Sequence, residues 1–316
     1  MRKIIFICVL LFLLPYFLSA QQPDIKIPRN ASELEAVLNK AKNGTYKEKG
    51  ECRYILGYCF QNGVLGEKNI NTAVDWYILS ASFDYVPSWI ALARIYEEAG
   101  DPYSSLRSYY KAALLGSKPA EKELVEIFEE DEDLIAGHYL SLLYLEKGDM
   151  QAFMPVAYIN ARKGDIVIQM EISEYLMNKH AGDKEKFLEG YSLLEKIAVS
   201  DSLNIMHNMA DKLGVQYDDA GMRKWYEQNA DDTMTKARSK LGTLYLNGTE
   251  YTKSDPRKAF NLLLKAAVKY DMDAMEGLVK CYSEGLGVNK DTDKVKYWND
   301  MIDENGDYEF LQFLSF

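Results

Sequence analysis

The apolar residues of this chain recur at spacings of three and four positions over most of its length, which is the period of an amphipathic α-helix. After Leu56 and again after Leu278, an aromatic residue follows four positions later, and further aromatic residues lie on the next predicted helix. Each predicted helix therefore carries an apolar stripe. Because one helix pair is too small to cover its own stripe, the pattern predicts pairs that stack in a row.

Aligning the chain with itself reveals the same helix pair several times. Closely similar copies begin at Leu56, Leu241 and Leu278, and looser copies begin at Leu92 and Leu140. The matched positions of the first and last copies are Leu56 with Leu278, Cys59 with Cys281, Gly63 with Gly285, Ala73 with Val295 and Trp76 with Trp298. We expect about seven helix pairs between residues 51 and 307, with a degenerate stretch from 120 to 235.

Small residues and helix caps agree with this interpretation. Gly57 and Gly242 leave room for a neighbouring helix to approach closely. Asp101-Pro102 and Asp255-Pro256 place a capping carboxylate before a proline at the first helical position, where the missing N–H of proline does no harm. Asp291 is expected to cap the second helix of the last copy in the same way.

The pair Gly285 and Gly287 has two possible roles, since closely spaced glycines either cradle a phosphate or let the chain turn. A dinucleotide-binding fingerprint follows a strand and needs a third glycine at position 290, where this chain has Lys290. Gly285 instead follows an amphipathic helix. We therefore predict a turn in which Gly285 ends the helix with a positive φ and Val288 points back between the helices.

At these positions the chain resembles the Sel1-like repeat family, a branch of the tetratricopeptide superfamily. The family pattern of Leu-Gly, Tyr, Gly-x-Gly-Val, Asp, Lys-Ala, Trp-Tyr and Ala-Ala is similar to residues 278–298, 56–81 and 241–267. The resemblance covers roughly residues 50 to 310. It implies an all-α fold, a right-handed α-solenoid of stacked antiparallel helix pairs, whose curved face binds other proteins or peptides.

The resemblance also implies a binding face, because the first helix of each pair in such an array lines the inner surface. The positions two, five and six after the repeat leucine are then directed to this groove. They are mostly polar and mixed in charge, which suits a peptide held by hydrogen bonds and a few ion pairs, although ordinary solvated helix faces have the same composition. The candidates are Tyr58, Gln61, Asn62, Arg94, Glu97, Glu98, Thr243, Leu246, Asn247, Lys280, Ser283 and Glu284.

The N-terminus reads as an export signal. Arg2 and Lys3 precede a short apolar run, and small residues end at Ala20, which is typical of a secretory signal peptide over residues 1–20. After cleavage we expect no membrane span, a flexible leader over residues 21–30, and a capping helix over residues 31–50. The aromatic C-terminus, residues 308–316, is expected to form an apolar helical cap at the other end of the stack; its alternation also resembles one outer-membrane barrel strand, but no further strands precede it.

The charge of the chain argues against nucleic-acid binding. The formal net charge is −11, and removal of the signal peptide would lower it by two further units. Nucleic-acid binding requires clustered lysines and arginines, which this chain lacks. The acid-rich stretch 121–134 contains no glycine turn of the kind that calcium loops use, so we interpret it as a solvated helix end.

No motif predicts catalysis, a metal or a cofactor. The three histidines, His138, His180 and His207, have no second ligand at metal-binding spacing, and no serine lies in a nucleophile elbow. The cysteines left after signal cleavage, Cys52, Cys59 and Cys281, are odd in number and are interpreted as buried thiols rather than a disulfide framework.

Three functional hypotheses remain open. The first is a non-enzymatic scaffold or adaptor, periplasmic or secreted and monomeric or weakly oligomeric, that binds a protein or peptide. The second is an adaptor in the lumen of the endoplasmic reticulum; glycans at the sequons of Asn30, Asn43 and Asn247 would support it. The third is a cell-envelope enzyme of β-lactamase-like type, suggested by cysteine-rich exported relatives, but Ala81 and Ala267 stand where their bridging cysteines would be expected.

Overall fold

A computed structural model describes residues 25–64, 66–200 and 220–314, and the side chains of residues 131, 220–231 and 305–314 are not described. The predicted signal peptide and the first part of the predicted leader lie outside these residues. The described residues form fourteen α-helices and no strand. The helices are α1 (Ala31–Asn43), α2 (Tyr46–Asn62), α3 (Ile70–Ala81), α4 (Val86–Glu98), α5 (Pro102–Leu114), α6 (Lys118–Asp131), α7 (Leu134–Glu146), α8 (Met150–Lys163), α9 (Ile166–Lys179), α10 (Lys184–Val199), α11 (Ala220–Asn247), α12 (Pro256–Ala267), α13 (Met272–Glu284) and α14 (Thr292–Leu314).

The chain divides into two compact units, Met1–Ile127 and Phe128–Phe316. In the first unit, α2 pairs with α3 and α4 pairs with α5, while α1 packs on α2 and α3 packs on α4. Its core contains Tyr54, Tyr77 and Leu92, and the largest fully buried side chain is that of Tyr77. Consecutive helices thus cover one another's apolar faces in order along the chain.

The second unit repeats the same arrangement. The pairs in its described part are α7–α8, α9–α10, α11–α12 and α13–α14, and each pair also packs on the next. One part of its core contains Phe153, Ala157, Ile168 and Ile172. The predicted all-α architecture of stacked helix pairs is confirmed, and each unit is a segment of an α-solenoid.

The N-terminal helix is shorter than the predicted span of residues 31–50. Helix α1 ends at Asn43, and α2 begins after Thr45, whose hydroxyl accepts from the backbone N–H of Glu48 while Glu48 accepts from that of Thr45. This capping box begins a new helix after Thr45, whereas the predicted helix ran without a break to residue 50. The backbone N–H of Thr45 lowers the pKa of Glu48 to about 2, with a further contribution from Lys40.

The predicted caps of the second helices are present. Asp101 accepts from the N–H of Ser104 at 3.0 Å, and Asp255 accepts from that of Lys258 at 3.1 Å. Asp291 accepts from the N–H of Asp293 and from that of Lys294, both at 3.0 Å. A capping aspartate therefore marks where the second helix of each of these pairs begins.

The predicted turn at the paired glycines is also present. Gly285 ends α13 at φ 79°, its N–H donates to the carbonyl of Cys281, and Val288 is half-buried. At Gly287, φ is 73° and a β-carbon would lie 2.1 Å from the carbonyl oxygen of Pro256. Both glycines thus serve the turn and the close contact with α12.

At the C-terminus the backbone of α14 is helical up to Leu314. The packing of the predicted cap over residues 308–316 lies outside the described side chains.

Candidate functional site

Helices α2, α3 and α4 of the first unit enclose a small pocket with a volume of about 110 Å³. Four of the groove candidates named from the sequence lie together in its wall. The lining residues are Tyr54, Tyr58, Gln61, Asn62, Tyr77, Pro87, Ile90, Ala91 and Arg94. The wall residues of α2 recur at spacings of four and three positions, which places them on one face of that helix. The wall residues of α4 also share one face, and the last of them is Arg94.

Tyr77 forms the floor of the pocket. Its side chain is 0% exposed, and its hydroxyl donates to Oε1 of Gln61 at 2.6 Å. The ring fits against α2 because Gly57 has no side chain; a β-carbon there would lie 2.7 Å from two ring carbons of Tyr77. This hydrogen bond uses the side-chain oxygen of Gln61 as the acceptor. The side-chain nitrogen of Gln61 is then the donor that remains at the pocket.

Burial keeps the tyrosine hydroxyl at the floor of the pocket uncharged. Desolvation raises the pKa of Tyr77 and, on the neighbouring wall, that of Tyr54, whose ring centroid lies 5.4 Å from that of Tyr77. Both phenols are therefore neutral hydrogen-bonding groups over the physiological range. At the rim, the side-chain nitrogen of Asn62 donates to the backbone carbonyl of Tyr58 at 2.9 Å, which holds the amide against the end of α2.

Arg94 supplies the charge of the site. Among the described residues that line the pocket, it alone carries a formal charge. Its Nε atom is buried, and no hydrogen-bond acceptor for this atom occurs in the described part of the chain. The guanidinium group also hydrogen-bonds the hydroxyl of Tyr109 on α5, an interaction that opposes the rise in the pKa of that phenol.

Two acidic candidates flank this cation without lining the pocket. Glu97 and Glu98 lie one helical turn beyond Arg94 and are exposed. Glu97 accepts at 3.5 Å from the hydroxyl of Tyr109, whose pKa is raised by burial and by the nearby carboxylates of Glu97 and Glu123. The surface beside the pocket is therefore negative while the pocket itself is positive.

The remaining candidates lie in the second unit and are described separately. Lys280 donates from Nζ to Oδ1 of Asn247 at 2.9 Å, which joins the ends of α11 and α13. The candidates Thr243, Asn247, Lys280, Ser283 and Glu284 are all exposed. Leu246 was expected to face the groove, but it is 7% exposed. That expectation was wrong for Leu246.

The sequence analysis did not select the other wall residues Tyr54, Tyr77, Pro87, Ile90 and Ala91. A signal for them exists in helical spacing. The last three precede Arg94 by seven, four and three positions, and Tyr54 precedes Tyr58 by four. Extending the two stripes backwards along their helices would have found Tyr54, Pro87, Ile90 and Ala91, whereas Tyr77 lies on α3 and belongs to neither stripe.

In the described part of the chain, no group of three or more His, Cys, Asp or Glu side chains is arranged to hold a metal ion. None of the helices in that part is both long enough and apolar enough to cross a bilayer. Cys52, Cys59 and Cys281 are free and buried, as predicted.

A larger and more open cavity of about 720 Å³ lies in the second unit between α10, α11 and α12. Tyr245 is in its wall and donates to Glu195, and Lys258 lies 5.2 Å from the centre of the Tyr245 ring. Val199, the last residue of α10, is also in this wall.

Comparison with known proteins places these helices in context. The family model for the Sel1 repeat matches residues 50–82, 235–267 and 274–298. No curated protein matches the chain. Among solved structures, a Sel1 repeat protein from Oxalobacter formigenes is 20% identical over 86% of this chain and 99% of its own, with a TM-score of 0.38. A protective antigen of uropathogenic Escherichia coli that displays an SLR fold is 19% identical over 85% of this chain and 68% of its own, with a TM-score of 0.30. Residues 50–82, 235–267 and 274–298 are therefore Sel1-like repeats, and the first of them supplies two of the three helices around the pocket.

Proposed function

We propose that this protein is a non-enzymatic scaffold or adaptor that binds a protein or peptide on the first helices of its repeats. Sel1 repeats generally act as protein–protein interaction scaffolds and are typically non-catalytic, which supports this class of function. We further propose that the chain is exported, periplasmic or secreted, on the basis of its N-terminal signal-like sequence.

One observation supports the proposal most directly, namely the convergence of Tyr58, Gln61, Asn62 and Arg94 on one pocket. These side chains come from two different repeats. They combine a tyrosine and an arginine, residue types enriched among the dominant residues of protein interfaces, with two side-chain amides. Exposed Asn62 at the rim gives a partner access from solvent.

Site-specific photocrosslinking tests this function. A photoreactive amino acid replaces Asn62 at the pocket rim of the full-length protein, and the control carries it at Asp75, which is exposed on α3 but does not line the pocket. In its native host, we expect discrete crosslinked species from position 62 that an excess of unmodified protein competes away. Identical crosslinking from positions 62 and 75 would contradict a binding role for this face.

A further inference from the structure

Two consecutive side-chain amides at the end of α2 present a donor and an acceptor to the pocket of the first unit. The Oε1 atom of Gln61 accepts from the hydroxyl of Tyr77 at 2.6 Å, so the side-chain N–H groups of Gln61 remain for a ligand. Asn62 has the opposite arrangement, because its side-chain nitrogen donates to the backbone carbonyl of Tyr58 at 2.9 Å and its Oδ1 atom remains as the acceptor. Since both residues line the pocket, a ligand there meets both kinds of group.

These two amides can be reached from solvent. Gln61 is partly buried and Asn62 is exposed, and neither Nε2 of Gln61 nor Oδ1 of Asn62 is a buried atom that lacks a partner. They differ in this respect from the Nε atom of Arg94, which is buried. The amides of α2, rather than the guanidinium group of α4, therefore provide the polar contacts for a ligand.

The one formal charge in the described wall of the pocket is already engaged. The guanidinium group of Arg94 hydrogen-bonds the hydroxyl of Tyr109, and the carboxylates of Glu97 and Glu123 lie near the same hydroxyl. A ligand carboxylate would compete with these two glutamates, and a ligand cation would be repelled by Arg94. Because burying a charge without a counter-charge is costly, the pocket favours a neutral polar group.

Geometry distinguishes two neutral groups that contain both a donor and an acceptor. A trans peptide group directs its N–H and its C=O to opposite edges, so adjacent side chains of one helix cannot easily meet both. A primary carboxamide directs its C=O and one N–H to the same edge. A volume of about 110 Å³ accommodates the end of one side chain rather than a stretch of main chain. The pocket therefore fits an amide side chain better than a peptide backbone.

From this geometry, and resting on the proposed function, we propose that the pocket binds the carboxamide side chain of a Gln or Asn in the partner polypeptide. The oxygen of this carboxamide accepts from Nε2 of Gln61, and its nitrogen donates to Oδ1 of Asn62. The methylene carbons of the same side chain pack on Pro87 and Ile90 in the wall that α4 contributes.

Peptide selection with a depletion step tests this proposal. Random twelve-residue peptides displayed on phage are selected on the full-length protein, and in one arm the peptides that also bind the Gln61→Glu variant are removed. The carboxylate of this variant still accepts from Tyr77 but offers no donor to the pocket. We expect the peptides that remain to share a Gln or Asn at one position.

Synthetic versions of these peptides are then compared on the wild-type protein. Replacing the shared Gln or Asn by Glu or Asp should weaken binding about tenfold or more, because the new carboxylate has no N–H for Oδ1 of Asn62 and two acceptors face each other.

Variants of the protein locate the effect. Gln61→Glu should bind the amide peptides about tenfold more weakly than the wild type, with a similar Tm because the hydrogen bond from Tyr77 is kept. Gln151→Glu makes the same chemical change at an exposed position of α8, in the second unit, and should bind like the wild type. If Gln61→Glu does not fold, Asn62→Leu, which removes the acceptor at the exposed rim, replaces it in the depletion and in the binding assay.

The outcomes separate this inference from the proposed function. Equal affinity of the wild-type protein for the amide and acid peptides overturns the carboxamide assignment but leaves peptide binding intact. Depleted peptides without a shared Gln or Asn also overturn it and indicate recognition of the main chain. Enrichment only in the arm without depletion overturns the inference and assigns peptide binding to another surface. Failure to enrich any peptide in either arm contradicts both the inference and the proposed function.

Discussion

Tyr77 illustrates how single residues combine stability and site formation in this protein. Its ring is completely buried between two helices, and its hydroxyl orients Gln61 at the pocket. The ring fits only because residue 57 is glycine. One contact between a glycine and an aromatic ring therefore determines both the packing of the first repeat and the shape of its pocket.

We predict that Gly57→Ala destabilises the protein by about 1–3 kcal/mol, because the new methyl group would overlap the Tyr77 ring in a closely packed core. Urea denaturation followed by circular dichroism measures the change. The matched control is Gly182→Ala, where a β-carbon meets no atom within 4 Å. Equal stability of the two variants would show that α2 and α3 do not pack as closely as described.

Several residues of the pocket could be predicted from the sequence, for a simple geometric reason. Counting from the repeat leucine works for Gln61 and Arg94 because an α-helix brings positions three and four apart to one face. The same count failed for Leu246, which is buried, because the count gives the helical face of a residue but not what packs against that face. The hydrogen bond between Arg94 on α4 and Tyr109 on α5 was also beyond the sequence, since it depends on how the two helices pack.

At the scale of the helices, short polar sequences define where each element begins. The structure confirms the caps at Asp101, Asp255 and Asp291. The capping box of Thr45 and Glu48 was not recognised in the sequence, so α1 was predicted to be too long. The stretch between Ala41 and Cys52 is almost entirely polar, so hydrophobic periodicity gives no boundary there, and Gly44 together with the capping box marks it.

We predict that Asp101→Ala lowers the free energy of unfolding by about 1 kcal/mol, because the N–H of Ser104 loses its acceptor at the start of α5. Thermal denaturation measures the change in Tm. Asp75→Ala removes an exposed carboxylate from the middle of α3 and should have a much smaller effect. A similar loss in both variants would indicate a general effect of charge rather than capping.

The degenerate middle of the repeat array also has a physical explanation at this scale. In the second unit, His138 and Asp165 are buried and share a hydrogen bond of 2.9 Å between Nδ1 and Oδ2, and Asn160 donates to the carbonyl of Leu134 at 2.8 Å. These polar contacts join α7, α8 and α9 in the middle of the array. Because the sequence pattern relies on apolar positions, it becomes weak here although the helix pairs persist.

At the scale of the whole molecule, both units are built by adding helix pairs to their neighbours. In such arrays each element is stabilised mainly by the elements next to it, so stability varies along the chain. In the second unit, α7 buries nearly every residue from Leu134 to Leu143, whereas Trp298 is the one buried residue in the described side chains of α14.

We therefore predict that backbone amides of α7 exchange with solvent at least about tenfold more slowly than those of residues 293–300 in α14, after correction for intrinsic rates. Hydrogen–deuterium exchange followed by mass spectrometry measures this difference. Equal protection of the two helices would mean that the second unit opens only as a whole, and would contradict a stack whose elements depend on their neighbours.

The buried cysteines have a practical consequence. Cys52, Cys59 and Cys281 are small apolar groups in helix contacts, and desolvation raises the pKa of each thiol, which suppresses the reactive thiolate. No covalent cross-link in the described helices depends on an oxidant. We therefore expect these helices to form equally well in glutathione-rich and in oxidising surroundings, without the help of a disulfide isomerase.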